Sequence, residues 1–502
     1  MSTLNTPLLD KDEATANEVA AEVTGVSLQA QSETSSTQSS VIQSSSTRSS
    51  VVTAAVPRFA AFSHRNFRLF WIGNLLSLIG TWAQQTGQGW LMRTLTPDPF
   101  LIAGVAACGS LPILFLTLYT GAVADRVDKR RTLFITNVCA LLLALVMGLL
   151  VWSGVVQVWH IALLSLLLGT INAFDIPVRQ SFNLEMVGRR DLPNAIALNS
   201  SAFNAARVIG PASGGWMLQQ FGIAGCFLVN AFSFVALLIG LAKMRFRPCA
   251  PSDSVANSET STANDSTAND SIASNNASST RTMTIEAEEP CLPDVEHSRR
   301  GSLSRDDILQ GFYFVRDHET LRPVVLLVAM VSLFAMSFST LLPVFARDVF
   351  HTDEAGYSRL MTFNGVGAMC SAFALAIVGT MRHKGKRLLL GALLFCVSVG
   401  LFAAAPDLVW ACGALVLAGW FLLTFLTTAN TLVQTIAPDE LRGRVFSLYS
   451  LALIGTNPLG AAFVGLSAKY FGPRVAVGLG ASIASLICIG LFANCRRLWK
   501  ER

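Results

Sequence analysis

The chain has 502 residues, of which 52% are hydrophobic and 14% charged, with a formal net charge of +5. A soluble globular protein carries roughly 25% charge, so this composition excludes a large water-soluble domain. The basic residues gather at the ends of apolar runs, which points to membrane topology and not to nucleic-acid binding.

Residues 1–58 are rich in Ser and Thr, and no aromatic residue precedes Phe59. They cannot bury enough apolar surface to offset chain entropy, and a disordered tail is expected. The first fifty residues also lack an apolar h-region, so a cleavable secretory signal is not expected. The stretch 59–68 interleaves aromatics with Arg65 and Arg68, which suits either a short helix lying on lipid or a plain flank. Apolar runs then follow at 69–92, 101–121, 132–152, 158–180, 195–219 and 222–242. Each is long enough, at ~1.5 Å per residue, to cross about 30 Å of hydrocarbon.

Residues 248–303 contain the tandem repeat STANDSTAND and no aromatic, the composition of a flexible linker. After it, Ile308, Leu309, Phe312 and Val315 fall at helical spacing, predicting an amphipathic helix over 304–316. Six more spans are expected at 322–346, 356–380, 387–405, 407–434, 443–469 and 472–493. The expected organisation is therefore a tail (1–58), a six-helix half (59–247), a linker (248–303), a second six-helix half (304–495) and a short tail (496–502). The predicted fold class is an all-α polytopic membrane protein of twelve transmembrane helices. The ten cysteines show no C-x-x-C and no His/Cys cluster, so they read as small buried hydrophobes, with no metal or cofactor expected.

Every even-numbered span exits into a basic loop: Arg126 to Arg131, Arg189 and Arg190, Lys243 to Arg247, Arg382 to Arg387, Arg442 and Arg444, and the final Arg496 to Arg502. Positive residues mark the cytoplasmic side, so both termini and the linker are expected there. An internal repeat is visible as well. Asp191-Leu192 leading to Phe221-Gly222 matches Glu440-Leu441 leading to Phe471-Gly472, and Gly210 then falls opposite Gly460. This predicts two homologous halves.

The turn after the second span runs from Gly121 through Asp125 and Arg126 to Lys129, Arg130 and Arg131. In spacing and position it resembles the GxxxD(R/K)xGx(R/K)(R/K) signature of the major facilitator superfamily, with Asp128 in place of a glycine. The resemblance implies a conformational latch formed by Gly121, Asp125, Arg126, Arg130 and Arg131; plain positive-inside anchoring is the simpler alternative. In the fifth span, Ala206 followed by Gly210, Pro211, Gly214 and Gly215 resembles the antiporter motif GxxxGPxxGG, with alanine at the first glycine. Small residues of this kind also serve as a generic packing seam. Together with Phe67 to Trp71, Gly80-Thr81-Trp82, Trp90-Leu91 and Asn194-Ala195, these motifs resemble the secretion-effector branch, which includes enterobactin exporters and macrolide efflux pumps. That resemblance implies a major facilitator fold and a monomeric proton-driven exporter in a plasma membrane, the inner membrane if bacterial. Its cargo would be a small amphiphilic molecule, siderophore- or drug-like, moved by alternating access.

Arg207 lies deep in the fifth span, where a charge costs about 2.5–3.5 kcal/mol or more. Asp175 in the fourth span is its expected counter-charge, with Arg179 one turn away on the same face. The three are candidates for coupling transport to protons, or for a structural ion pair. Asn74, Gln84, Gln85, Gln88, Asn204, Thr428 and Asn430 are candidate cavity residues, with Trp82, Trp90, Phe338 and Phe425 as aromatic walls. No catalytic constellation and no G-x-x-x-x-G-K-[ST] loop is present, so neither an enzyme nor an ATP-driven pump is expected. An importer or uniporter of the same fold, and a non-transporting sensor or secretion accessory, are the alternatives.

Overall fold

Apolar runs punctuated by glycine and proline fold into a succession of antiparallel helices, seen in a computed structural model that describes residues 60–124, 127–244, 305–378, 383–438 and 441–494. The expected tails and linker lie outside the described residues. The spanning helices are α1 (Arg65–Leu95), α2 (Pro99–Ala124), α3 (Lys129–Trp152), α4 (Val158–Gly188), α5 (190–221), α6 (223–243), α7 (Leu321–Val349), α8 (Glu354–Val378), α9 (Lys384–Ala404), α10 (Leu408–Ile436), α11 (Gly443–Phe471) and α12 (Pro473–Asn494). Among the described residues ten stretches are long and apolar enough to cross a membrane; one of them holds both α5 and α6, and α1 falls outside the ten because of its load of polar side chains. The protein is thus an all-α polytopic membrane protein with twelve spans.

Helices α4, α5 and α6 run on from one another with no loop, broken only where Gly188 and Gly222 take positive φ of 70° and 67°. The fourth span was expected to end near 180. It continues to Gly188 because Phe182, Met186 and Val187 stay buried against Phe67, Phe70 and Leu133. The stretch 59–68, read as either a lipid-lying helix or a plain flank, holds a short turn, Ala60–Ser63, followed by a His64–Asp191 contact of 2.9 Å to α5.

The repeat read from the sequence is visible in the geometry. Gly472, the counterpart of Gly222, also has positive φ, at 83°. A Cβ on Gly210 would meet Trp82 and Ile79 of α1, and one on Gly460 would meet Ser337 and Leu333 of α7. Likewise Gly215 packs on Ser358 of α8, while Gly465 packs on Ala103 and Phe100 of α2. Helices α5 and α11 therefore do equivalent work: each packs inside its own half and crosses to the other, giving two seams, α5–α8 and α2–α11.

The last six helices share a dense core in which Phe402 of α9 meets Phe338 and Phe345 of α7 and Phe350 just after it, with ring centroids 4.6–6.3 Å apart. Outward-facing side chains such as Phe115, Phe232, Ile377 and Leu486 are strongly exposed, as suits contact with lipid tails. Because the helices alternate in direction, the α1–α2 and α3–α4 loops share one end of the bundle, here called the distal face. The α2–α3 loop and the start of α1 lie at the opposite, terminal face. Trp152, Trp159, Phe221, Trp410, Tyr470 and Phe471 are exposed at the distal face, in the manner of an interfacial aromatic belt. At the terminal face a helix, Arg305–Asp317, precedes α7 and is held to α11 by a 2.6 Å bond from Arg444 to Gln310.

Candidate functional site: a polar cavity beside the seam

A cavity of about 530 Å³ lies among α1, α3, α4, α5 and α6, within the roughly 300–1,000 Å³ typical of small-molecule sites. All its lining residues come from the first six helices. Helix α1 contributes Asn74, Ser77, Thr81, Gln84, Gln85 and Gln88, the three- and four-residue spacing that aligns side chains on one face. Opposite them, α3 and α4 present Asn137, Asn172, Asp175 and Arg179.

Asp175 is buried, at 8% exposure, and fully engaged. One oxygen accepts from Thr136 Oγ1 at 2.8 Å and from Asn137 Nδ2 at 3.3 Å; the other accepts from Arg179 Nε at 2.8 Å. Arg179 also donates to Asn74 Oδ1 and lies over the Phe70 ring. The pair is the i, i+4 contact its spacing predicts, and it ties α4 to α1 and α3. Higher up, Asn230 donates to Gln84 at 2.6 Å and Gln88 to Ser165 at 3.0 Å.

The halves meet beside this cavity. At the distal face Arg93 Nε donates to Asp348 at 3.0 Å and Lys469 Nζ to Asp98 at 2.9 Å, each pair joining one half to the other. The hydrogen bond from Lys469 holds the Asp98 carboxyl below the usual carboxylate range. Trp90 stacks on Tyr357 with centroids 6.2 Å apart. Deeper, Ser358 Oγ donates to Pro211 O at 2.6 Å, and Arg207 Nη2 to Asn364 Oδ1 at 2.7 Å. Pro211 has no N–H, so the Arg207 carbonyl lacks its intrahelical partner, and Gly365 closes on it so tightly that a Cβ there would sit 2.5 Å away. Gly214 allows the same closeness to Ala83 of α1.

Several sequence expectations land elsewhere. Arg207 faces Asn364 and not Asp175. Asn204 donates to Ser200 O within α5; Thr428 bonds Thr424 O and Asn430 accepts from Gln434 within α10, and none of the three lines the cavity. Trp82 packs on Phe203, whereas Phe338 and Phe425 are buried in the second half. Of the loop motif, Asp125 and Arg126 lie outside the described residues, and Gly121 is in the last turns of α2. Asp128, the departure from the glycine pattern, caps α3 by accepting from Arg131 N at 3.0 Å. Arg130 donates to the carbonyls of Leu241 and Ala242 at the end of α6, and Lys129 pairs with Glu185 of α4. Thr136, Asn137, Ser165 and Asn230 were not singled out from sequence; their only signal is polarity inside an apolar run.

A family model described as transmembrane secretion effector matches residues 56–272 and 298–501. The chain belongs to that family, within the major facilitator superfamily. Among relatives of this secretion effector, the staphyloferrin A transporter of Staphylococcus aureus is 23% identical over 85% of this chain and 96% of its own. The multidrug efflux pump Tap of Mycolicibacterium fortuitum is 23% identical over 76% and 82%, and the enterobactin exporter EntS of Shigella boydii 21% identical over 87% and 94%. The fold matches the nucleoside transporter NupG, with a TM-score of 0.61 at 13% identity over 87% of this chain and all of that one. A bacterial homologue of the human lysosomal transporter Spinster, in its inward-facing and unoccupied conformation, matches with a TM-score of 0.59 at 13% identity, over 87% and 96%. The protein is a multi-pass membrane transporter of small molecules, not an enzyme.

Proposed function

We propose that this secretion effector is a proton-driven exporter working by alternating access, its two six-helix halves rocking about the α5–α8 and α2–α11 seams. The observation that carries the reading is the cavity beside those seams, in which one carboxylate, Asp175, is tied to Arg179 and to side chains of α1 and α3. A proton on Asp175 removes the charge that holds Arg179, so proton binding favours a different arrangement of α1, α3 and α4, and the shift is bounded by the difference in affinity between the two states. The basic loops support a cytoplasmic terminal face, and the ion-paired distal face supports a conformation closed to the outside. Exporters among the relatives support the outward direction, and the chain's own GPxxGG motif agrees with it. The functional unit is a monomer.

The test is transport in proteoliposomes with an imposed pH gradient, across siderophores, macrolides and other amphiphiles. Uphill movement abolished by a protonophore and by Asp175→Asn supports the proposal; equilibration that ignores the gradient makes the protein a uniporter.

A further inference from the structure

Arg207 sits in the middle of α5, and no ion pair reaches it among the described residues. Its one hydrogen bond runs to a neutral carboxamide, Asn364 Oδ1. A guanidinium has five N–H donors, and a charge within a membrane span carries a cost that pairing normally relieves. The other cation of the cavity region, Arg179, is already compensated by Asp175. Asp175, Arg179 and Arg207 together leave one unit of positive charge, and it belongs to Arg207.

The helix places that charge beside the cavity, although Arg207 is not itself part of the lining. Asn199 and Phe203 line the cavity, and Arg207 continues their stripe at i+8 and i+4, turning gradually toward α8. The side chain is half-buried, and its partner Asn364 belongs to the opposite half. From this we infer that Arg207 recognises an anionic oxygen group on the cargo, a carboxylate or phenolate, at mid-height between the halves, while the carboxamide-lined cavity holds the remainder. Asn364 stands in for that group, since its Oδ1 occupies one donor without supplying a charge. The inference rests on the transporter reading and names the charge class of its cargo: anionic solutes, as opposed to lipophilic cations.

The experiment is calorimetric binding to the purified full-length protein, using benzoate and citrate as probes against the neutral benzamide and trimethyl citrate. The wild type is expected to prefer each anion about tenfold or more, the scale of a charge-assisted hydrogen bond. Arg207→Gln abolishes the preference and Arg207→Lys keeps part of it. Asn364→Asp supplies an internal counter-ion, so it abolishes the preference while raising thermal stability, a split that a purely structural arginine does not produce. Equal binding of anion and neutral probe by the wild type, or an anion preference that survives both Arg207→Gln and Asn364→Asp, overturns the inference. Binding in detergent needs no gradient, so failure of proton drive in proteoliposomes leaves this result standing, and the reverse also holds.

Discussion

The two halves share a helix count and a repeat, yet one is hollow and the other filled. In the first six helices, carboxamides and the Asp175–Arg179 pair surround a cavity of about 530 Å³. In the second half phenylalanines close on one another toward the distal face, with Phe402 at 0% exposure. Lipid tails are as apolar as leucine, so helices in a bilayer associate through close packing and hydrogen bonds, with little help from hydrophobic burial. The filled half gains the first of these. The hollow half gives up packing for polar contacts among side chains of α1, α3 and α4.

The strongest way to break this contrast is to empty the filled half. Phe402→Ala should cost about 2–3 kcal/mol, the cavity part of an aromatic truncation, read as a large fall in thermal stability. Phe203→Ala on the wall of the hollow half should cost under about 1 kcal/mol, because that ring is already 47% exposed. Comparable losses at the two sites would mean that the cavity region is as tightly packed as the core. Asp175→Asn, which keeps the shape and removes the charge, is expected to reduce gradient-driven transport at least tenfold, about 1.4 kcal/mol, with normal membrane insertion; full activity would remove Asp175 from coupling.

Smaller effects are expected at the distal face. Asp98 has its pKa lowered by Lys469, so its contribution to the closed seam is complete above the ordinary carboxylate range and is lost as pH falls through the lowered value. Acid at the distal face should therefore loosen the seam, seen as faster labelling of a cysteine that replaces Thr96, which is buried two residues from Asp98. Lys469→Ala should flatten that pH dependence, and labelling that stays pH-dependent in this variant would assign the effect to another group. The smallest change is expected from replacing residues 248–303 with a short flexible spacer: transport should persist, and its loss at normal expression would give the linker a role of its own.

The helices were legible because hydropathy and span length are local properties, and the repeat because Gly222 and Gly472 require the same left-handed backbone. That Asp175 and Arg179 share one helix face was legible too, being one turn apart, although the pairing expected for Asp175 was with Arg207. What stayed hidden depended on distance in sequence. Arg207 was expected to meet Asp175, and nothing near either residue announces Asn364 on α8. The basic residues Arg93 and Lys469 looked scattered until Asp348 and Asp98 were found across the seam. Polar residues inside apolar runs carry no mark of which face they occupy, so Asn137 and Asn230 went unnoticed while Thr428 and Asn430 were expected in the cavity.

The exposed aromatic residues of the distal face have a consequence for the membrane itself. Helix α4 has 31 residues, about 46 Å at 1.5 Å per residue, against some 30 Å of hydrocarbon. With tryptophans moored at the distal headgroups, that surplus length emerges on the terminal side, where the cavity's Asn183 and Asn199 lie. A thinner or thicker bilayer must then be accommodated by tilt at that side, at fractions of a kcal/mol per Å. Under the proposed alternating access, lipid chain length becomes a thermodynamic input to which face of the transporter stands open.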